Sequence, residues 1–318
     1  MINRTEQEIM HNWKGEIDKP IVSVCTITYN HEKYITEAID SFLMQETDFP
    51  FEVVIGEDFS TDSTRRIIEE YIKKYSNIIK LITSEQNVGI QENGKRTMEA
   101  CRGKYIALCE GDDYWTDTKK LHIQKYFLDC NKDYSAIAHQ VNVLLNKHEP
   151  KRFNELEFST LELNDILFER KFHTASVMCR GYIIKKHPLP VNILSADKAY
   201  MILLALFGKI YFHKNIMGVY RKHEGGISSW VTDELMKKDL NLLPWILSIS
   251  PVFPKFRLIS YIHKTIVMYP IKISVLNIFR HSFLFIYFSF SYFPFNIRHL
   301  GEFIFKVIPL KIVDSFKN

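Results

Sequence analysis

Three carboxylates stand almost side by side in Tyr105-Ile-Ala-Leu-Cys-Glu110-Gly111-Asp112-Asp113-Tyr114-Trp115, directly after a short apolar run. Like charges packed this closely repel, so Glu110, Asp112 and Asp113 are either a solvated acidic turn or a set held together by a cation. If they are held, a metal is the economical explanation, since Mg²⁺ typically binds through one or two carboxylates plus substrate phosphates. A second acidic set, Glu57-Asp58, ends the run Phe51-Glu-Val-Val-Ile-Gly56 and precedes Ser60-Thr61-Asp62-Ser63-Thr64. Helix capping accounts for the hydroxyls and Asp62. Glu57 and Asp58 sit on the strand end itself, where a carboxylate can accept hydrogen bonds from a ligand's N–H or hydroxyl groups. Further on, Arg221-Lys222-His223-Glu224-Gly225-Gly226 runs through Ser228 and Ser229 to Trp230, cations followed by a flexible pair of glycines. That composition suits closure over a diphosphate, or a plain surface turn.

The elements that position these groups read as alternating strands and helices. Strands are expected at 21–30, 51–56, 78–83 and 105–109, with helices over 35–45, 67–75 and 95–101 between them. This order is the signature of an α/β fold with a mostly parallel, doubly wound central sheet, whose ligands bind at the carboxyl ends of the strands. The second half continues with a helix at 121–130, a strand at 134–143, a strand at 172–180, a helix at 199–207 ending at Gly208, and paired strands over 209–220. His139, alone in an apolar strand, reads as a structural residue. Tyr114 and Trp115 read as packing. Asp197, in Ser195-Ala196-Asp197-Lys198, has an ordinary explanation as a carboxylate at a helix start.

With 318 residues, 46% hydrophobic and 25% charged, the chain can bury a full core. A formal charge of +4 is too small to imply a nucleic-acid partner. No G-x-G-x-x-G follows the first strand and no G-x-x-x-x-G-K-[ST] occurs, so a nucleotide would be held by strand-end side chains and metal. Cys25, Cys101, Cys109, Cys130 and Cys179 show no metal-ligand spacing and read as reduced, mostly buried residues of a cytoplasmic protein. The polar segment from Met1 to Lys19 has no apolar core of a secretory signal.

Taken together, Thr28-Tyr29-Asn30 ending the first strand, Glu57-Asp58-Phe59-Ser60-Thr61-Asp62 ending the second, the loop Asn87-Val88-Gly89 and the strand end Glu110-Gly111-Asp112-Asp113 resemble the successive motifs of the family 2 glycosyltransferases, which have the GT-A fold. The resemblance covers residues 20 to 230 and implies transfer of a sugar from a nucleoside diphosphate sugar, with inversion at the anomeric carbon. By position it implies that Thr28, Tyr29 and Asn30 line the nucleotide pocket and that Asp58, beside Glu57 and Asn87, binds base or ribose. It makes Glu110-x-Asp112 the D-x-D element, with Gly111 between, Asp113 beside it, and Asp112 on Mg²⁺ or Mn²⁺. Arg221 and His223 inherit contacts to phosphates and metal, with the segment to Trp230 as a lid. Asp197 becomes the catalytic base, with Glu224 and Asp113 as competing carboxylates. Glu110 stands where the family has the first Asp of D-x-D, and Phe59 where it has Gly.

The expected organisation is an N-terminal extension 1–19, a GT-A catalytic domain 20–235 and a helical, aromatic and basic region 236–318. In that last region helices are expected over 240–250 and 253–269. The apolar stretch from Arg280, closed by Pro294 and Asn296, is shorter than the ~18 to 20 apolar residues that span a bilayer. Lys255, Arg257, Lys264, Lys272, Arg280, Arg298, Lys306, Lys311 and Lys317 face only Glu302 and Asp314. Such a composition suits an anionic membrane surface on the inner face of the cell membrane, or packing on a second subunit. The expected function is metal-dependent sugar transfer to a glycan or lipid-linked acceptor in surface polysaccharide synthesis. The contrasting expectation is a non-catalytic scaffold that uses this region to bind a membrane or partner.

Overall fold

The computed structural model describes residues 3–145, 149–156, 159–167, 169–190, 192–226, 229–270, 273–290, 300–301 and 303–317. Ser228, Lys272, Pro294, Asn296, Arg298 and Glu302 lie outside them. The chain divides into two compact units. The first comprises Met1–Leu163, Arg170–Leu189 and Leu203–Arg221; the second comprises Asn164–Glu169, Pro190–Ile202 and Lys222–Asn318.

In chain order the elements are α1 (Glu6–Met10), β1 (Val22–Thr28), α2 (Ile35–Leu43), β2 (Phe51–Glu57), α3 (Thr64–Ile72), β3 (Ile79–Ile82), α4 (Ile90–Ala100), β4 (Tyr105–Leu108), β5 (Tyr114–Trp115), α5 (Lys120–Cys130), β6 (Tyr134–Leu145), β7 (Lys151–Arg152) and β8 (Thr160–Leu161). After them come α6 (Leu163–Ile166), β9 (Met178–Arg180), α7 (Gly181–Lys186), α8 (Ala196–Phe207), β10 (Lys209–Lys222), α9 (Asp233–Lys237), α10 (Leu242–Ile249), α11 (Lys255–Met268), α12 (Val275–Phe290) and α13 (Ile308–Lys317).

The first unit is an α/β body around one sheet with the order β3-β2-β1-β4-β9-β6-β10-β5, to which β7 and β8 add at β6 and β10. β3, β2, β1 and β4 pair in parallel, while β9 joins β4, and β6 joins β9, antiparallel. Every residue of β2 and β4 is buried, as expected of strands covered on both faces. Val22, Val24, Val53, Ile55, Tyr105 and Ala107 form the core with Ile35, Ile39 and Phe42 of α2 and Ile68 and Tyr71 of α3. Glu52 interrupts the apolar run of β2. It is buried, accepts from Ser23 Oγ at 2.6 Å across the β1–β2 register and pairs with Arg102 at 2.8 Å.

Three expectations are corrected. The segment 209–220 is not a strand pair but part of one long strand, β10, whose partners are β6, β5 and β8. Residues 172–180 form a strand only at Met178–Arg180. Before it, Thr174–Ser176 is a 3-10 turn, capped by His173, whose Nδ1 accepts from Ala175 N at 3.3 Å. Helix α4 begins at Ile90, because Gly89 at φ 84° turns the chain into it five residues earlier than the apolar pattern suggests. His139 is buried, with Nδ1 2.9 Å from Gln140 O, and burial pushes it well below its usual pKa. All five cysteines are free, and four of them are buried.

The second unit is mainly helical. Leu258, Ile262 and Ile266 recur at helical spacing on the buried side of α11 and pack with α12. Among the described residues no helix is long and apolar enough to cross a membrane.

Candidate functional site

In the first unit β1 has β2 on one side and β4 on the other, so the strand order reverses between β1 and β4. That reversal leaves a crevice at the carboxyl ends of the two strands, the usual ligand position of open α/β sheets. Thr28 ends β1 there, and Glu110, Gly111, Asp112 and Asp113 follow β4. The two ends are clamped by Gly111 N donating to Ile27 O at 3.0 Å. A Cβ on Gly111 would lie 2.8 Å from both Cβ and Oγ1 of Thr28, so only glycine lets the acidic turn approach β1 this closely.

The acids occupy graded environments. Asp113 is buried, donates its own N–H to Glu110 O at 3.1 Å and accepts from Arg221 N at 2.8 Å. Burial, then the charges of Asp112 and Glu110, push its carboxyl well above the usual range, against the pull of Arg221. Arg221 also donates from Nη1 to Asp112 O at 2.7 Å, pairs with Glu37, and lies 4.3 Å from the centre of the Tyr114 ring. Tyr114 therefore supports the arginine, while Trp115 is buried against Phe42 and donates to Ala175 O.

Two histidines stand beside these carboxylates. His31 Nε2 is 3.8 Å from Asp112 Oδ2, and His173 Nδ1 is 3.5 Å from Asp113 Oδ2. The His173 ring is buried and stacks on Tyr220 at 3.9 Å. Glu110, Asp113 and His173 place one donor atom each within 4.8 Å of one another. Two carboxylate oxygens and an imidazole nitrogen converging this closely are a donor set that fits a divalent cation. Neither histidine stood out in the sequence. The only signal for His173 was its position ahead of a Thr-Ala-Ser turn, and for His31 its place directly after Asn30.

The loops after β1 and β2 are stitched together. Asn30, at φ 55°, accepts from Thr61 N at 2.8 Å and donates its N–H to Ser60 Oγ at 3.0 Å. Tyr29 beside it is exposed. Glu57 is buried, with Oε1 accepting from Ser60 N at 2.6 Å, while its Oε2 and Thr28 Oγ1 have no protein hydrogen-bond partner. Asp58 is buried and accepts from Val88 N at 2.8 Å and Gly89 N at 2.9 Å, so its carboxylate anchors the Asn87-Val88-Gly89 loop. Asn87 Nδ2 in turn donates to Asp58 O at 3.1 Å. Arg96, which the sequence did not single out, reaches Glu57 O at 2.7 Å and lies 3.7 Å from Asp58. Phe59 adopts φ 59°, a left-handed conformation costly for a bulky residue, with its ring exposed. The turn thus keeps the backbone shape a glycine would give.

Asp197 and His223 belong to the second unit, with Glu224. Asp197 lies in the first turn of α8. The chain leading into that helix is pinned by Asp239, fully buried, which accepts from Leu194 N at 3.0 Å, Ser195 N at 2.9 Å and Lys198 Nζ at 2.7 Å. Burial opposes the charge, but Lys198 and the donors around Ser195 hold the Asp239 carboxyl below its usual range. His223 opens a turn closed by Gly226 N donating to His223 O at 3.1 Å.

Comparison with known proteins matches residues 23–186 to Glycosyl transferase family 2. An uncharacterized protein of Mycobacterium tuberculosis (strain ATCC 25618 / H37Rv) is 36% identical over 211 residues, 65% of this chain and 60% of that protein. TuaG of Bacillus subtilis (strain 168), whose name assigns it as a teichuronic acid biosynthesis glycosyltransferase, is 36% identical over 110 residues, 35% of this chain and 41% of its own. The chain therefore spans 60% or less of the length of these relatives. In fold it is similar to S. aureus TarS 1-349 in complex with UDP-GlcNAc, with TM-score 0.61 at 19% identity over 92% of this chain and 79% of that one. It is also similar to a mannosyltransferase of Pyrobaculum calidifontis in complex with GDP-Man and Mn²⁺, with TM-score 0.58 at 12% identity over 96% and 86%. The fold is that of these GT-A glycosyltransferase structures, and the chain belongs to glycosyl transferase family 2.

Proposed function

We propose that this chain is an inverting glycosyltransferase that moves a sugar from a nucleoside diphosphate sugar to a hydroxyl of a glycan or lipid-linked acceptor, in surface polysaccharide synthesis inside the cell. The observation that carries this reading is the acidic turn Glu110-Gly111-Asp112-Asp113 clamped onto the end of β1 at the strand-order reversal. Family membership, the name of TuaG and the donors bound by the two similar structures support it.

In this reading Thr28, Tyr29 and Asn30 border the nucleotide. Glu57 and Asp58 shape its far wall, Asp58 chiefly by holding the loop at Asn87. Asp112 would be the principal ligand of Mg²⁺ or Mn²⁺, with Glu110, Asp113, His173 and His223 as further donors, and Arg221 holds the turn in place. A bound divalent cation supplies positive charge to the diphosphate as the sugar–phosphate bond breaks. Asp197 accepts the proton of the acceptor hydroxyl while its oxygen bonds to the anomeric carbon, and the departing electron pair remains on the diphosphate. Phe59 leaves the turn intact, so this departure from the family pattern does not favour a scaffold without activity.

The test is transfer with a panel of UDP-, GDP- and dTDP-sugars, Mn²⁺ and short acceptors, scored by product mass. Asp112→Ala and Asp197→Ala are each expected to lower the rate at least 100-fold, as removal of a charge-stabilising group or base does. Wild-type transfer by both variants would overturn the site assignment, and no transfer from any donor by the native chain would favour the scaffold.

A further inference from the structure

Helix α12 has its amphipathicity inverted. The side turned into the second unit carries Ile278, His281, Ser282, Phe285 and Ser289, all buried. Two of its polar members are matched from within: His281 Nδ1 lies 2.9 Å from His263 Nδ1, and Ser289 Oγ lies 2.8 Å from Ser260 Oγ, both partners on α11. The opposite side presents Leu276, Phe279, Phe283, Tyr287 and Phe290, which are 76%, 56%, 65%, 57% and 61% exposed. These five recur every three or four residues and so form one continuous stripe along the helix. An ordinary surface helix does the reverse, and an apolar stripe of this length on a surface marks a docking face.

Charge selects the occupant. From Leu240 to Gly301 the sequence contains no Asp or Glu, against Lys255, Arg257, Lys264, Lys272, Arg280 and Arg298. Arg280 is exposed within the stripe's own helix. Asp233 lies at the start of α12, bonded to Asn277, and pairs with Lys237, so two copies apposed along the stripe would still set Arg280 against Arg280, whereas an anionic lipid surface supplies both the opposite charge and an apolar layer for the aromatics. The helix is too short and too polar on its buried side to cross a bilayer, so it would lie in the plane of the interface. We infer that the exposed aromatic face of α12 docks the protein on anionic phospholipid membrane. The inference concerns where the proposed transfer takes place, and it stands or falls independently of that reaction.

The test is co-sedimentation of the full chain with vesicles of phosphatidylglycerol and phosphatidylcholine, and with phosphatidylcholine alone, at low and high salt. Sedimentation velocity without lipid is run beside it. The native chain is expected to bind the anionic vesicles at least 10-fold more strongly than the neutral ones, and less at high salt. Phe279→Asp/Phe283→Asp is expected to lose at least 10-fold of that binding with little change in melting temperature, because both side chains are more than half exposed. Arg280→Glu is expected to weaken binding mainly at low salt. Should the double variant melt lower, Leu276→Gln/Tyr287→Gln tests the same stripe with a milder change. No binding to anionic vesicles, or binding that both double variants retain, overturns the inference. So does a native dimer that these substitutions dissociate while vesicle binding persists, because the face would then serve a second copy.

Discussion

Asp239 is the side chain on which the entry to α8 depends, and Asp239→Asn is the sharpest way to show it. The native carboxylate is fully buried and satisfies two backbone N–H groups and the Lys198 ammonium. The amide keeps the volume but removes the charge, leaving a buried lysine opposite a weaker acceptor. Breaking a buried pair from one side costs about 3–5 kcal/mol, a large share of the roughly 5–15 kcal/mol that holds a domain folded. Removing both charges should cost far less: Asp239→Leu/Lys198→Met leaves no orphaned ion, so most of the stability returns, less the two lost N–H contacts. The assay is urea unfolding of the native chain, both single variants and the double variant, arranged as a cycle. A coupling energy of at least about 2 kcal/mol is expected for groups in such direct contact. If Asp239→Asn shifts stability by less than about 0.5 kcal/mol, the pair is not what anchors Ser195 and the turn bearing Asp197, and the reasoning fails.

Three further outcomes follow from buried groups and close approaches. Lys120 is fully buried, 3.8 Å from the centre of the Trp115 ring, and burial lowers its pKa to about 7. The unfolded chain holds that proton up to about pH 10.4, so this group makes stability rise with pH between about 7 and 10.4. Lys120→Met should abolish the rise and be neutral to stabilising by a few kcal/mol at pH 7, as unfolding titrations at several pH values would show. His263 is lowered to about 4 by burial, then by His281 and Arg280. Its unfolded form binds the proton first, so stability should fall by on the order of 2 kcal/mol as pH drops from about 6.5 towards 4. His263→Gln should flatten that limb. Gly111→Ala, whose methyl would meet Thr28 at 2.8 Å, should cost about 1–3 kcal/mol by overpacking. It should also weaken nucleotide binding measured by calorimetry, and unchanged binding would mean that the clamp between β1 and the acidic turn does not shape the pocket.

The parallel half of the sheet was legible because β1, β2 and β4 are predominantly apolar and each stops at a polar cluster. Even the buried Glu52 could not mask the run. What local pattern could not supply was pairing across distance. Nothing near Asp113 announces His173, and nothing near Ser195 and Lys198 announces Asp239, because those contacts are made by chain returns dozens of residues away. The capping of the 3-10 turn by His173 is also why a segment with strand composition is a strand only in its last three residues. β10 misled in the opposite way: the polar run His213-Lys214-Asn215 in its middle resembles a turn, but these are half-exposed and exposed positions of a strand that continues past them. For α12, composition showed that the region is basic and aromatic. Only the fold reveals that Ser282, Ser289 and His281 turn inward and Phe279, Phe283 and Phe290 outward.

The nucleotide site proposed at the end of β4 is metal-dependent. Its most direct measurement is calorimetric titration of UDP and GDP into the native chain and into Asp112→Ala, with and without Mn²⁺. One nucleotide should bind the native chain at least 10-fold more tightly with Mn²⁺ than without, and this difference should vanish in Asp112→Ala. Binding that is equally tight without metal, or a metal effect that survives in Asp112→Ala, would contradict it.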